Sequence, residues 1–263
     1  MKSNEITLEK KDSVATIKFN RPEAFNAVNT NAIRLFHDHV NNLTCDPSIR
    51  CVILTGTGNK AFCAGGDISE FSQNLDKLDY LVREMTGFLH IGVSRLARLH
   101  APVIASINGV AAGAGLSLMA ICDIAIACKS ATFTSAYTKV GLSPDGSSTY
   151  FLQRLINRRR LMELYLTNRV LNANEALEWG LINKVVDDNL LEEETSKLAS
   201  NLANGPTQAY SSVKKLLNET WTETLETQME RETIEIAKMT QTQDAQNGIK
   251  SFVNKEKPNF TGK

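Results

Sequence analysis

The chain has 263 residues, of which 42% are apolar and 22% charged, with 29 basic and 29 acidic side chains. That length suits one large domain or a domain with a small appendage, and a core of that size needs no disulfide staples. Charge that balances to zero argues against nucleic acid or an anionic membrane as the main partner, and no run of about 18 uncharged apolar residues is present to span a bilayer.

Alternating apolar residues at 6–8 and 14–19, separated by the polar stretch 9–13, predict a β-hairpin. Arg21-Pro22 ends it, because proline cannot continue a strand ladder. Ala32, Ile33, Phe36, Val40 and Leu43 fall at helical spacing and predict a helix over 29–43. The apolar run 51–54, bounded by Gly56 and Gly58, reads as a buried strand. A long amphipathic helix is expected over 78–99, stopped by Pro102, with a strand at 103–107. The order strand, glycine-rich turn, helix then recurs: 103–107 leads through Asn108-Gly109 into 113–119, and 123–127 leads through Phe133 towards Pro144. Repeated units of this kind predict an α/β fold with parallel pairing. Beyond about Ser148 the chain is expected to be almost wholly helical, at 149–166, 174–179, 189–203, 206–220, 223–239 and 244–254, punctuated by Gly180 and Gly205. No fixed-period repeat is evident. The expected organisation is a core over residues 1–200 and a C-terminal helical region over 201–263.

Five cysteines (Cys45, Cys51, Cys63, Cys122, Cys128) form no C-x-x-C pair and are odd in number, which favours reduced thiols. The histidines, His37, His39, His90 and His100, fit no zinc spacing, so no metal is expected. Residues 1–19 carry acidic groups and no apolar signal core, and the final residues are not a peroxisomal address; the expected compartment is the cytoplasm.

Three segments can carry chemistry. Lys60-Ala61-Phe62-Cys63-Ala64-Gly65-Gly66-Asp67-Ile68 follows a strand. Its small residues let backbone approach a ligand, and N–H groups where Asp67-Ile68 opens a helix can hold a developing oxyanion. The same segment taken alone also reads as a tight turn that only packs. Asn108-Gly109-Val110-Ala111-Ala112-Gly113-Ala114-Gly115-Leu116-Ser117 again places small residues between strand and helix; it is neither G-x-G-x-x-G nor a P-loop, and close helix packing is the competing reading. In Gly141-Leu142-Ser143-Pro144-Asp145-Gly146-Ser147-Ser148-Thr149, an aspartate between proline and glycine is ordinarily a turn or cap residue. A nucleophile elbow needs glycine where Asp145 stands, so a lipase is excluded.

In this order and at these separations, the three segments resemble the crotonase (enoyl-CoA hydratase/isomerase) family. The match runs from Asn20-Arg21-Pro22-Glu23-Ala24-Phe25-Asn26-Ala27, through Ala176-Leu177-Glu178-Trp179-Gly180-Leu181-Ile182 and Val185-Val186, to Phe252-Val253-Asn254-Lys255. Within the family the chain looks most like bacterial phenylacetate-pathway isomerases of ring-epoxide (oxepin) CoA thioesters, including the ending Phe260-Thr261-Gly262-Lys263.

The resemblance implies an α/β crotonase (ClpP/crotonase-like) spiral of ββα units, followed by helices that mediate trimerisation, as a homotrimer or a dimer of trimers. It implies that the N–H groups of Gly66 and Ala114 bind a thioester oxygen; the second position is usually glycine in the family, and alanine keeps the N–H. It places an acyl-CoA substrate along Ala24, Phe25, Ala64, Gly66, Asp67, Ile68, Gly113, Tyr137 and Leu142, with Phe252 and Lys255 reaching the CoA, sometimes on a neighbouring subunit. Coenzyme A is then part of the substrate, and no separate cofactor is expected. Ser69 stands where a phosphate-meeting lysine is frequent, and residues 69–86 are expected to line the acyl pocket.

Hydratases of the family hold water between two glutamates, and those places are Ser117 and Tyr137 here. Asp145 falls where several isomerases carry their proton-shuttling acid. The resemblance therefore implies an isomerase with Asp145 as acid and base. Three other readings compete. A hydratase needs a water-activating pair. A non-catalytic acyl-CoA- or RNA-binding protein has only the short basic cluster Asn157-Arg158-Arg159-Arg160 in its favour. A serine hydrolase at Ser117 has no histidine after His100.

Overall fold

Residues 4–263 are described by a computed structural model. The hairpin forms as β1 (Ile6–Lys11) and β2 (Val14–Phe19), paired antiparallel. β1 is longer than the apolar alternation predicted. It is an edge strand, so the charged residues Glu9–Lys11 face solvent, where Lys10 pairs with Asp46 at 2.6 Å. Asn29 accepts the Ala32 N–H and opens α1 (Thr30–Thr44), whose apolar stripe is buried as spaced.

Next come β3 (Cys51–Gly56), β4 (Ala61–Cys63), the short α2 (Ile68–Ser72) and the long α3 (Leu78–Ala97). They are followed by β5 (Val103–Ile107), β6 (Val110–Ala112), α4 (Ala114–Ala120), β7 (Ile124–Cys128) and β8 (Thr132–Thr134). The expected helix over 149–166 is two: α5 (Ser148–Leu155) and α6 (Arg158–Thr167). Ile156 is extended, and the Asn157 side chain accepts the Arg160 N–H to start a new helix. The later chain is not wholly helical either. β9 (Leu171–Asn172) precedes α7 (Ala173–Trp179), and β10 (Lys184–Val186) precedes α8 (Leu191–Ala203). Three further helices close the chain: α9 (Thr207–Glu219), α10 (Leu225–Met239) and α11 (Gln243–Asn254).

Two sheets organise these elements, in the orders β1-β2-β3-β5-β7-β10 and β4-β6-β8-β9. β3, β5 and β7 are parallel neighbours in the first, as β4, β6 and β8 are in the second. Each ββα unit thus lays one strand in each sheet, and the chain winds as the spiral that the resemblance implied. Ile17, Phe19, Phe36, Leu54, Phe62, Leu96 and Phe133 are fully buried between sheets and helices, each contributing on the order of 1.5–3 kcal/mol by removal from water. α3 lies close on α1: a Cβ at Gly92 would sit 2.9 Å from the Phe36 ring.

α8 still belongs to this core, since Ala199 and Ala203 pack with Cys51, Ile53 and Ile104. The change of character falls after Ala203. In α9 to α11 the buried residues are polar, namely Thr207, Ser212, Glu235, Asp244 and Ser251. Leu217, Leu225, Met229, Ile234, Ile236, Ile249, Phe252 and Val253 are all exposed. Polar tethers hold the region down. Lys214 Nζ reaches Asp123 Oδ2 at 2.7 Å, Asn218 donates to the Ala97 carbonyl at 3.0 Å, and Arg50 Nε donates to Thr207 Oγ1 at 2.9 Å.

Candidate functional site

The loops that leave β4, β6 and β8 converge on a cavity of about 280 Å³. Sequence puts them there by close backbone contact. A Cβ at Gly115 would lie 1.9 Å from the Cys63 carbonyl oxygen, so only glycine lets the start of α4 rest on the end of β4. Gly65 at φ 102° and Gly113 at φ 51° turn the two loops side by side, and a Cβ on Gly65 would come within 3.4 Å of the Ala114 nitrogen. Gly66 and Ala114 both line the cavity, and neither N–H meets a partner among the described residues. For Ala114 this follows from its place as the first residue of a helix, where N–H groups have no intrahelical acceptor.

Ala64, Ile68, Gly113, Tyr137, Leu142 and Asp145 line the same cavity. The apolar wall comes from α1, α2 and α3: Ile33, Phe71, Val82, Met85 and Leu89, with Thr86 beside them. The expected pocket segment 69–86 therefore contributes Phe71, Val82, Met85 and Thr86. Ala24 and Phe25 do not line the cavity, though Phe25 is hydrogen-bonded to a residue that does. The Ala64 N–H donates to the Phe25 carbonyl at 3.1 Å, and the Asn26 side chain pins that turn to the Thr57 and Ala61 carbonyls.

The Asp67 carboxylate also lies outside the cavity and serves the fold. It caps α2 through the Ser69 N–H at 3.0 Å and pairs with Arg21 Nη2 at 2.8 Å. Phe252 and Lys255 are exposed at the end of α11 and are not brought to the cavity of their own chain.

One carboxylate, Asp145, is found among the described residues lining the cavity. Its Oδ1 accepts the Tyr137 hydroxyl at 2.6 Å, and Tyr137 in turn stands 2.9 Å from Ser117 Oγ. Burial, with the charge and hydrogen bond of Asp145 adding to it, holds the Tyr137 hydroxyl above the ordinary tyrosine range. Tyr137 therefore stays protonated and remains a donor. Asp145 Oδ2 makes no hydrogen bond to any described residue. Ser117 is fully buried and also donates to the Asp145 carbonyl at 3.1 Å, a structural use of its hydroxyl.

Two titratable residues at or beside the site escaped the sequence reading. Lys139 brings the one cation among the described cavity-lining residues, on a helical turn at Thr138–Val140. His90, on α3, accepts the Gly146 N–H at Nε2 over 3.2 Å, directly beside Asp145 in sequence. A helical histidine has no local signature that would announce such a partner 56 residues away. No group of three or more His, Cys, Asp or Glu placed to hold a metal occurs among the described residues, and no helix there is long and apolar enough to cross a membrane.

Comparison with known proteins accords with this geometry. The family described as enoyl-CoA hydratase/isomerase matches residues 9–263. The chain is 39% identical to 1,2-epoxyphenylacetyl-CoA isomerase of Escherichia coli (strain K12), over 95% of each chain. It is 36% identical to 4-chlorobenzoyl coenzyme A dehalogenase-2 of Arthrobacter sp, over 86% of this chain and 82% of the relative. Among solved structures, an enoyl-CoA hydratase from Bacillus anthracis superposes with a TM-score of 0.92 at 30% identity, over 99% of this chain and all of that one.

Proposed function

The chain belongs to the enoyl-CoA hydratase/isomerase family, and from that premise we propose that it is an acyl-CoA isomerase with Asp145 as its acid and base. The observation that carries the reading is the single carboxylate among the described residues of the cavity. Adding water across a double bond in this family's manner takes a pair of carboxylates, and Ser117 and Tyr137 stand in the places the resemblance gives to that pair. Moving a proton takes one. An acid–base group held within reach of both carbons is enough, provided that the charge between the two steps is stabilised.

The steps follow from the residues. The thioester oxygen lies between the N–H groups of Gly66 and Ala114, which are unpartnered and side by side. As Asp145 Oδ2 takes a proton from C2 of a 3-enoyl thioester, charge collects on that oxygen, where each donor is worth on the order of 3 kcal/mol of transition-state stabilisation. The proton on Asp145 then returns two carbons along, at C4, and the double bond moves from the 3,4 to the 2,3 position. Tyr137 holds the carboxylate by its other oxygen throughout. The same stabilised thioester supports opening of a ring epoxide to an oxepin, the reaction class suggested by the 1,2-epoxyphenylacetyl-CoA isomerase relative. Coenzyme A enters as part of the substrate, with no separate cofactor in the scheme.

The apolar faces of α9 to α11 support assembly as a homotrimer or dimer of trimers, in which Phe252 and Lys255 reach a neighbour's CoA. A panel of 3-enoyl-CoA, crotonyl-CoA and a phenylacetyl-derived epoxide thioester tests the activity. Asp145→Asn is expected to lower the isomerase rate by about 10²- to 10⁴-fold; a variant of near-normal rate sinks the assignment. Fast loss of the conjugated absorbance of crotonyl-CoA would instead make the enzyme a hydratase.

A further inference from the structure

Asp145 sits at the neck of an unusual turn. Gly146 and Ser147, the next two residues, both adopt the left-handed conformation, at φ 58° and 63°. Serine is strained there, and neither the Ser147 side chain nor any other caps α5 in the usual way. Such a turn persists only when its surroundings hold it. On the Asp145 side, the carbonyl accepts from the Ser148 N–H and from Ser117 Oγ, both at 3.1 Å. On the far side, the Gly146 N–H donates to His90 Nε2.

His90 and its neighbour divide the two faces of the turn. Leu89 enters the acyl cavity, and its Cδ2 would lie 3.7 Å from a Cβ on Gly146. His90 looks the other way, into a cleft of about 340 Å³ that it lines with Ser147, Tyr150, Phe151 and Asn218. Because Nε2 accepts a hydrogen bond, it carries a lone pair, and the ring proton resides on Nδ1. The imidazole therefore acts as an acceptor buttress and does not touch the reacting atoms.

We infer that His90 is a positioning residue for Asp145, holding the Gly146-Ser147 turn from behind while Tyr137 holds the carboxylate from the front. The inference rests on Asp145 being the proton-transfer group. An acid–base group must meet two carbons in turn, so an error in its placement is felt in the chemical step more than in binding. His90 is not among the residues that line the cavity, so its replacement leaves the apolar wall in place.

The experiment compares His90→Leu, which removes the acceptor, with His90→Gln, whose side-chain carbonyl can accept the same bond. Because His90 is exposed on α3, neither change opens the core. His90→Leu is expected to lower kcat by about 10- to 100-fold with KM within about 3-fold of the native value, and His90→Gln to recover kcat to within about 5-fold. Amide hydrogen exchange at Gly146 gives a readout that needs no turnover: it quickens in His90→Leu and stays slow in His90→Gln. Native kcat and slow exchange in His90→Leu overturn the inference, as does a His90→Gln enzyme as slow as His90→Leu. An inactive Asp145→Asn enzyme beside an unimpaired His90→Leu enzyme sinks this inference alone. A fully active Asp145→Asn enzyme removes the reading beneath it.

Discussion

Residues up to Ala203 and residues beyond it follow opposite rules. In the spiral core, apolar side chains such as Phe36, Leu54 and Phe133 are inside and charged ones outside. In α9 to α11, Ser212, Glu235, Asp244 and Ser251 are inside and Ile236, Ile249 and Phe252 outside. Every described residue lining the acyl cavity lies between Val28 and Asp145, within the core. The difference teaches that the candidate site is built wholly from the part that folds for its own sake. The later helices leave their apolar surface exposed in the single chain, and polar bonds hold them to the core.

Three substitutions probe that contrast. The largest effect on folding is expected from Leu54→Ala in the centre of β3. A fully buried leucine lost from a packed core costs about 2–5 kcal/mol, seen as a fall in the midpoint of thermal unfolding. Retention of the native midpoint would break the claim that the core carries the stability.

Lys214→Met comes next. It removes the cation from a pair that links α9 to the core, leaving Asp123, whose carboxyl burial already pushes above the ordinary range. Lys214 is 10% exposed and Asp123 29%, so screening reduces the loss to about 1–3 kcal/mol, below that of a dry pair. Hydrogen exchange should quicken in residues 204–263 and leave the core protected. Uniform quickening would show that the two regions open as one.

The smallest folding effect is expected from Ile236→Asn on the exposed face of α10, within about 0.5 kcal/mol for the single chain. The same change is expected to shift the assembled form towards smaller species in sedimentation. An unchanged distribution would mean that this face is not where the chain meets its copies.

What could be read beforehand depended on how local each feature is. β3, β5 and β7 are apolar runs and were legible. β4, β6 and β8 are three residues each, and Ala61–Cys63 or Val110–Ala112 looks like loop until the parallel neighbour is known. The break at Ile156 had a signal in Asn157, a good helix cap, but it was obscured by the apolar periodicity on both sides. At the site, the motif-borne residues Gly66, Ala114 and Asp145 line one cavity. Asp67 does not, because a carboxylate at a helix start is claimed by the backbone and by Arg21 before any ligand. His90 was missed because its partner Gly146 lies 56 residues away, and Lys139 because no motif marks it as lining the cavity.

The stacking of the loops after β4 and β6 has a consequence for how such a protein can diversify. The Gly66 and Ala114 amides follow the adjacent parallel strands β4 and β6, and strand pairing, at about 4.8 Å between neighbours, brings their two loops together. That ruler is made of backbone, and side-chain replacement cannot recalibrate it. On the proposed reading, new substrates are accommodated by exchanging the furniture around a fixed socket, on α3 and along residues 136–145.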